Sequence, residues 1–335
     1  MQGIFSEENR IMKFVTLGRS GLRVSRIAFG TWQLGGDWGR FDEALAVTAI
    51  RRARELGVNF FDTAQAYGFG ASERLLGTAL RGELTRNRDQ LVIATKGGLR
   101  RSHDGVVRDA SPGWLRAGVD ASLRALGVDH IDLYQVHWPD PKVPLAETAG
   151  ALSELVAEGK ISHVGVSNYD TAQLAEFAAT LPVETVQPPY HLFRRGIEQD
   201  VLPYSRAHNI GVLVYGPLAH GLLSGTMTEH TTFADDDWRA TSTVFTGDGY
   251  RRNLAAVHAL EKFAADRGIT VSQLAVAWTL ANPAVQVAIV GARRADHIQD
   301  SLAAADISLS AGDLAEIDAI MSAATPVTGP SPESV

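Results

Sequence analysis

Short runs of apolar, β-branched and aromatic residues alternate with longer amphipathic stretches along almost the whole chain. Most of these short runs are nearly continuous in apolar residues, with little polar alternation. Continuous apolar character is typical of strands that are buried on both faces of a parallel sheet. The pattern predicts eight strands, at residues 27–31, 58–62, 91–95, 131–136, 161–166, 185–187, 212–215 and 285–290.

The stretches between the predicted strands have the spacing of helices, and several of them end at a glycine. Predicted helices include residues 42–56, 72–84, 112–126 and 145–158, and glycines follow at Gly57, Gly127 and Gly159. Strand starts recur about every 30 to 40 residues, which is the size of a βαβ unit. The sequence therefore predicts an α/β protein of the (β/α)8 TIM barrel type.

Two departures from simple repetition are expected. Residues 13–24 have the pattern of a β-hairpin with a turn at residues 19–21, placed to close the bottom of the barrel, and extra helices are expected near the C-terminus. No linker-like segment divides the chain. We therefore predict an N-terminal extension at 1–12, one barrel domain at 13–323 and a C-terminal tail at 324–335.

Composition excludes several classes of protein. The chain has 335 residues, a net charge of −7, 45% apolar residues and no cysteine, which excludes disulfides, thiolate nucleophiles and cysteine-bound metals. No apolar run approaches the roughly 20 residues that cross a bilayer, and residues 1–12 lack the features of an export signal. We expect a cytoplasmic protein with neither a membrane nor a nucleic acid as its partner. Assembly into a homo-oligomer remains open.

Four side chains with catalytic potential follow successive predicted strands. Asp62 ends the second run, Tyr67 lies five residues later, and Lys96 and His137 come directly after the third and fourth runs. In a barrel of parallel strands these positions converge at the carboxyl-terminal mouth, where such enzymes carry their chemistry. A lysine that ends a buried strand needs a carboxylate partner or a function. Taken singly, Asp62 could cap a helix, Tyr67 could be a wall residue and His137 a core histidine.

The ordered set of motifs resembles the aldo-keto reductase superfamily, most closely its bacterial members related to potassium-channel β subunits. The resemblance covers about residues 13–323, and it rests on segments 59–68, 94–97, 135–138, 165–168, 215–225 and 289–293. It implies a catalytic tetrad of Asp62, Tyr67, Lys96 and His137 that reduces an aldehyde or ketone to an alcohol.

The residue types suit carbonyl reduction, because the attack of hydride on carbon leaves negative charge on oxygen. Tyr67 is the predicted proton donor. An unperturbed tyrosine titrates near pH ~10, and an ammonium ~4 Å away contributes ~4 kcal/mol toward phenolate at an effective dielectric of ~20. Asp62 would keep Lys96 protonated and cancel part of its field. His137 is expected to orient the carbonyl, and proton transfer by this residue stays open.

No G-x-G-x-x-G segment follows a strand and opens a helix, so any nicotinamide is expected across the barrel mouth. Arg293 suits a phosphate dianion by charge and fork geometry, which favours NADPH over NADH while leaving NADH open. Ser167 and Asn168 belong to the set of cofactor contacts that the resemblance implies, but taken alone they could form a helix N-cap. The resemblance implies cofactor contacts from Gly30, Thr31, Trp32, Asp62, Ser167, Asn168, Gln187, Tyr215, Gly216, Pro217, Leu218, Gly221, Leu222, Ser224, Gly291, Arg293, His297 and Asp300.

Aromatic residues dominate the predicted substrate site, which indicates an apolar carbonyl compound. The expected walls are Trp32, Tyr67, His137 and Trp138, together with the long acidic loop at 226–249, which is either a lid or solvated surface. Aldehydes are the expected class, with ketones, sugars and larger compounds open.

Three alternatives of other classes remain. A Schiff-base aldolase could use Lys96 as its nucleophile. A sensor subunit could keep the tetrad and bind a nicotinamide while acting mainly through a partner protein. A metal-dependent hydrolase is disfavoured, because no H-x-H pair follows a strand, and no metal is predicted.

Overall fold

The computed structural model describes residues 12–36, 41–103, 105–235, 237–242 and 244–329. Its strands are β1 (Phe14–Thr16), β2 (Arg23–Ser25), β3 (Ile27–Gly30), β4 (Phe60–Asp62), β5 (Val92–Gly97), β6 (Leu99–Ser102), β7 (Gly105–Arg108), β8 (Ile131–Val136), β9 (Ile161–Ser167), β10 (Thr185–Gln187), β11 (Gly211–Tyr215) and β12 (Val287–Gly291). Its α-helices are α1 (Glu43–Glu55), α2 (Ala71–Arg86), α3 (Pro112–Leu126), α4 (Leu145–Ala157), α5 (Thr171–Ala178), α6 (Val201–Ala207), α7 (Gly247–Ala265), α8 (Val271–Ala281), α9 (Ala295–Leu302) and α10 (Ala311–Met321).

Eight parallel strands close into a barrel, in the order β3, β4, β5, β8, β9, β10, β11 and β12, and β12 pairs back with β3. Each predicted strand overlaps one of these eight, so the (β/α)8 prediction is confirmed. The prediction of where the third strand ends was wrong, because β5 continues to Gly97 and Lys96 lies inside it. The strands are buried on both faces, which explains their continuous apolar character.

The N-terminal hairpin closes the amino-terminal end of the barrel, as predicted. Strands β1 and β2 pair antiparallel, and Leu17 and Val24 are fully buried in the same cluster as the side chains of the barrel interior. A Cβ at Gly211, where β11 begins, would lie 2.9 Å from the backbone carbon of Leu17, so only glycine fits there. The carboxyl-terminal end is therefore the side at which a site can form.

Helices α7 and α10 are additional to the helices of the repeat, which confirms the extra C-terminal helices. The hairpin β6–β7, after β5, was not predicted. The loop prediction for 226–249 was wrong at its end, because α7 begins at Gly247. The predicted extension at 1–12 lies outside the described residues except for Met12, and in the predicted tail the Val327 amide donates to the Phe193 carbonyl at 2.7 Å. None of the helices in the described ranges has both the length and the apolar character that crossing a bilayer requires.

Candidate active site

The structure brings the four predicted catalytic side chains together at the carboxyl-terminal mouth. Asp62 ends β4, Lys96 lies in β5, His137 follows β8, and Tyr67 lies in the loop between β4 and α2. The Lys96 ammonium donates to Asp62 Oδ2 at 2.6 Å, to the Thr63 carbonyl at 3.0 Å and to the Tyr67 hydroxyl at 3.3 Å. The rings of Tyr67 and His137 meet edge to face, with centroids 5.7 Å apart.

The ion pair between Lys96 and Asp62 is buried and hydrogen bonded on both sides. Lys96 is 1% exposed and Asp62 is 3% exposed. The second carboxylate oxygen, Asp62 Oδ1, accepts from Gln187 Nε2 at 2.9 Å and from Gln135 Nε2 at 3.4 Å. Buried charges need such partners, because attraction between the pair alone does not repay their loss of hydration. Asp62 is thus an ion-pair partner and not a helix cap.

The loop that carries Tyr67 has little freedom to move. Gly68 has a φ of +62°, and a Cβ there would lie 2.5 Å from the Gly35 carbonyl oxygen, so only glycine is tolerated. Directly after the loop, the Ser72 hydroxyl donates to Thr31 Oγ1 at 2.7 Å. These contacts fix the phenol beside the ammonium before any ligand binds.

His137 is held as a neutral imidazole. Burial lowers the pKa of His137 to about 3, the Lys96 ammonium acts in the same direction, and Asp62 offsets part of the effect. Its backbone is fixed on both sides, because its amide donates to the Gly97 carbonyl at 2.9 Å and its carbonyl accepts from Asn168 Nδ2 at 3.1 Å. A neutral imidazole has one N–H to donate, so His137 can orient a carbonyl oxygen but is not an imidazolium acid near neutral pH.

One cavity of about 670 Å³ opens beside the tetrad, and all but three of the predicted cofactor residues line it. The three exceptions are Ser167, Asn168 and Leu222, and the last of these is fully buried in the hydrophobic core. The lining residues from the prediction are Gly30, Thr31, Trp32, Asp62, Gln187, Tyr215, Gly216, Pro217, Leu218, Gly221, Ser224, Gly291, Arg293, His297 and Asp300.

Ser167 and Asn168 tie neighbouring strand ends together. The Ser167 hydroxyl donates to the Gln187 carbonyl at 2.8 Å, and Asn168 Oδ1 accepts from the Tyr215 hydroxyl at 2.9 Å. The N-cap alternative was wrong, because Asp170 caps α5. The Tyr215 ring is consequently held in a fixed position on the cavity wall.

The cavity has the features that a nicotinamide dinucleotide requires. Near the tetrad, Tyr215 offers a fixed aromatic ring. Gly216 and Gly221, with φ of +67° and +100°, follow β11 in a conformation in which backbone can approach a ligand closely. Arg293 also lines the cavity, two residues before α9 begins, an arrangement that suits phosphate. The residues present therefore fit this cofactor.

Two residues that the sequence analysis assigned to the cofactor, His297 and Asp300, have different surroundings. His297 is exposed, whereas the Asp300 carboxylate accepts from Gln273 Nε2 at 2.7 Å and from the Thr270 hydroxyl at 3.3 Å. These bonds anchor Asp300 to the start of α8, and the residue also lines the cavity.

Arg239 lines the same cavity and was missed by the sequence analysis. Its guanidinium binds both carboxylate oxygens of Asp237 at 2.5 to 3.1 Å and donates to the His220 carbonyl at 3.1 Å. Asp237 is 7% exposed, so the solvated-surface alternative for the acidic loop does not hold at this residue. No periodic pattern marks this pair, because Asp237 caps, and Arg239 lies in, a four-residue 3-10 helix (Trp238–Thr241) that is too short to show a period.

The two tryptophans that were predicted to wall the substrate site face different cavities. Trp32 stacks on Tyr67 with centroids 6.4 Å apart and lines the tetrad cavity. Trp138 lines a second cavity of about 840 Å³ that none of the four predicted catalytic residues lines, and Arg108 of β7 lies 5.0 Å from its ring centroid. The chemistry therefore belongs to the smaller cavity.

The fold and the site define a (β/α)8 barrel of the enzyme type, whose predicted catalytic groups meet at the carboxyl-terminal mouth. Residues 26–322 match the Aldo/keto reductase family. The chain belongs to this family, and the resemblance inferred from the motifs is confirmed.

Individual relatives cover nearly the whole chain. It is 41% identical over 312 residues to the aldo-keto reductase YhdN of Bacillus subtilis, covering 92% of this chain and 94% of that protein. It is 33% identical to the NADH-specific methylglyoxal reductase of Escherichia coli, with coverages of 90% and 96%. A probable voltage-gated potassium channel subunit beta of Arabidopsis thaliana is 33% identical, with coverages of 88% and 92%. The solved glycerol dehydrogenase of Gluconobacter oxydans has a TM-score of 0.85 at 37% identity, covering 96% of this chain and 98% of that one.

Proposed function

We propose that this protein reduces an aldehyde or a ketone to an alcohol with NADPH, and that Tyr67 supplies the proton. One observation carries the proposal: the buried Lys96 ammonium lies 3.3 Å from the Tyr67 hydroxyl and 2.6 Å from the Asp62 carboxylate. A phenol beside an ammonium loses its proton more easily, and the alkoxide-like oxygen of a reduced carbonyl needs that proton.

A bound reduced nicotinamide supplies the hydride. The neutral His137 donates its N–H to the carbonyl oxygen and orients it, while the Tyr67 hydroxyl donates the proton that the oxygen finally keeps. The Lys96 ammonium stabilises the phenolate that forms, by about 5 kcal/mol at 3.3 Å and an effective dielectric of 20. Asp62 holds the ammonium in place and cancels part of this field, so the figure is an upper value.

The cofactor would lie along the tetrad cavity. Tyr215 would pack against the nicotinamide ring and Gln187 would hold its carboxamide, while Ser167 and Asn168, which do not line the cavity, would hold Gln187 and Tyr215 in position. Arg293 lines the far end, so we assign it to the adenosine 2′-phosphate and infer a preference for NADPH. A relative named NADH-specific shares 33% identity with this chain, so the preference must come from local residues and not from the fold.

Two alternatives can be separated from the reductase. A Schiff-base aldolase needs a neutral amine, but all three N–H groups of Lys96 have an acceptor, and one is a carboxylate at 2.6 Å. With all three positions on the nitrogen already donating, no lone pair points toward a substrate carbonyl, which disfavours the aldolase. The similarity to a probable channel β subunit favours a nicotinamide-binding sensor as the second candidate.

The test is an NADPH-oxidation assay with a panel of small aldehydes and ketones, together with NADPH titration in the absence of substrate. We expect steady turnover of at least one aldehyde, with kcat lost in Tyr67→Phe. Tight NADPH binding without turnover of any carbonyl compound would favour the sensor. Covalent trapping of a carbonyl compound on Lys96 by borohydride, without nicotinamide, would favour the aldolase.

A further inference from the structure

Glu73 is a buried acidic residue that the proposed reaction does not use. It lies in the first turn of α2, shortly after the loop that carries Tyr67, and it is 1% exposed. The hydroxyl of Thr95, a fully buried residue of β5, donates to Glu73 Oε1 at 2.7 Å. The carboxyl group therefore fastens the start of a helix to a barrel strand.

A carboxyl group in this position has a cost that an apolar side chain would not have. Burial raises the pKa of Glu73 above its ordinary value, and hydrogen bonds, among them the one from Thr95, offset part of this effect. Acidic side chains are rarely buried, because such bonds must replace the lost hydration. An apolar residue of similar size would leave the Thr95 hydroxyl unpaired, so the bond to Thr95 is what an acceptor contributes here.

The bond reaches the tetrad on one side through β5. Thr95 is the residue before Lys96, and successive side chains of a strand point to opposite faces. The Lys96 ammonium accordingly contacts Asp62 and Tyr67 at the barrel mouth, whereas the Thr95 hydroxyl contacts α2 on the outside. A displacement of Thr95 would move the backbone from which Lys96 projects.

The bond reaches the tetrad on the other side through the start of α2. The amide of Ser72, the residue before Glu73, donates to the Tyr67 carbonyl at 3.2 Å. Within the same loop, the Gln65 amide donates to the Lys96 carbonyl at 3.0 Å. The first turn of α2 and the Tyr67 loop are thus one hydrogen-bonded unit, which Glu73 ties to β5 from the helix side.

We propose that Glu73 is a positioning residue, which through Thr95 holds the Tyr67 loop against β5 and so maintains the 3.3 Å contact between the Tyr67 hydroxyl and the Lys96 ammonium. This inference rests on the proposed reductase function. A displacement of about 1 Å at a reacting group can lower a rate by about 10²-fold. Glu73 does not line the tetrad cavity, so its effect falls on kcat and not on cofactor binding.

The experiment measures kcat for the carbonyl compound that the wild type reduces best, and NADPH affinity by fluorescence, in Thr95→Val, Glu73→Ala and Glu73→Gln. Valine has the shape of threonine without the hydroxyl, and glutamine keeps an oxygen that can accept from Thr95. Thr148→Val is the matched control, because the Thr148 hydroxyl is equally buried and donates to the Ala110 carbonyl at 3.0 Å, and neither residue lines the tetrad cavity. Thr95→Val is also made in the Tyr67→Phe background.

We expect kcat to fall at least about tenfold in Thr95→Val and in Glu73→Ala, with the dissociation constant of NADPH within about threefold of wild type. Glu73→Gln and Thr148→Val should keep kcat within about threefold, because each leaves the bond to Thr95 or the tetrad intact. In the Tyr67→Phe background, Thr95→Val should lower the residual rate by less than about threefold, since the contact that Thr95 maintains is already lost.

Melting curves establish folding, and if one of Thr95→Val and Glu73→Ala does not fold, the other decides. A wild-type kcat in the folded variant would overturn the positioning role and leave the reductase standing. Equal losses from Thr95→Val in the two backgrounds, or equal losses in Glu73→Gln and Glu73→Ala, would also overturn it, because the bond would then not act through Tyr67. Absence of turnover by the wild type with every carbonyl compound would remove the proposed function, and the inference with it.

Discussion

Replacing Tyr67 by phenylalanine removes one oxygen atom from the barrel mouth. Lys96 keeps two acceptors, Asp62 Oδ2 at 2.6 Å and the Thr63 carbonyl at 3.0 Å, so the buried ammonium stays paired and the variant is expected to fold. We expect kcat to fall by about three orders of magnitude, within the range of about 10²–10⁴ that general acids supply. Cofactor affinity is expected to change by less than about threefold, since the ring remains.

The magnitude follows from the contact between ammonium and phenol. At 3.3 Å the Coulomb energy favouring phenolate is about 5 kcal/mol at an effective dielectric of 20. Asp62, 2.6 Å from the same ammonium, cancels part of it. Half of this energy still corresponds to about two powers of ten in rate, and losing the proton donor itself adds to the loss.

Initial rates of NADPH oxidation at saturating glyceraldehyde measure kcat, and NADPH fluorescence measures binding. Tyr134→Phe is the matched control, because it removes a fully buried tyrosine hydroxyl with no partner among the described residues. Its kcat should match wild type. Burial holds the pKa of His137 at about 3, so the wild-type rate should show no histidine-dependent change near pH 6.5.

A Tyr67→Phe variant with near-normal kcat would refute the reasoning and transfer the donor role to His137. A rate that falls as pH rises through 6.5 in the wild type would point the same way. Loss of NADPH binding in Tyr67→Phe, with kcat unchanged, would instead make Tyr67 a wall of the cofactor cavity.

Three further predictions concern the cofactor and stability. Arg293→Ala should lower the ratio of kcat/KM for NADPH over NADH at least tenfold, as for a lost charged hydrogen bond of about 1.5–3 kcal/mol, and an unchanged ratio removes the assignment. Burial lowers the pKa values of His137 and His220 to about 3 in the folded protein, so below pH 6.5 the unfolded chain binds these two protons before the folded chain does. As the pH falls from 6.5, the free energy of unfolding measured with urea should therefore decrease by up to about 1.4 kcal/mol per pH unit for each histidine. The pKa of His163 shifts in the opposite direction, because its hydrogen bond to Glu184 raises it above 6.5 although burial acts against this. His163→Gln should therefore lower the free energy of unfolding at pH 5.5 and change it little at pH 9. An equal loss at the two pH values would contradict this assignment.

The barrel and the tetrad could be predicted because each has a local signal in the sequence. Strands buried on both faces must be apolar throughout, and catalytic residues of a barrel follow strand ends. The apolar pattern does not, however, fix the residue at which the pairing of a strand with its neighbour ends. Lys96 follows the predicted strand, but β5 pairs with β8 as far as Gly97.

The parts that could not be predicted depend on contacts between irregular segments. Hairpin β6–β7 contains Arg100 and Arg101, which give it no apolar run, although it brings Arg108 onto Trp138. His191 and His220 meet only because two loops fold toward one another. Loop backbone conformation has no period from which such a meeting could be inferred.

The hairpin at the barrel floor and the strand beside it also constrain how the chain is made. Arg26 donates to the Gln286 carbonyl across a separation of 260 residues, and β3, which also pairs with β4, gains its second partner only when β12 exists. On the ribosome, nearly the whole polypeptide must emerge before the ring can be completed, and until then two unpaired strand edges face solvent. The yield of active protein should therefore depend on the interval between the synthesis of β3 and the closure of the barrel. During this interval, chaperone capacity and temperature decide whether the chain folds or aggregates.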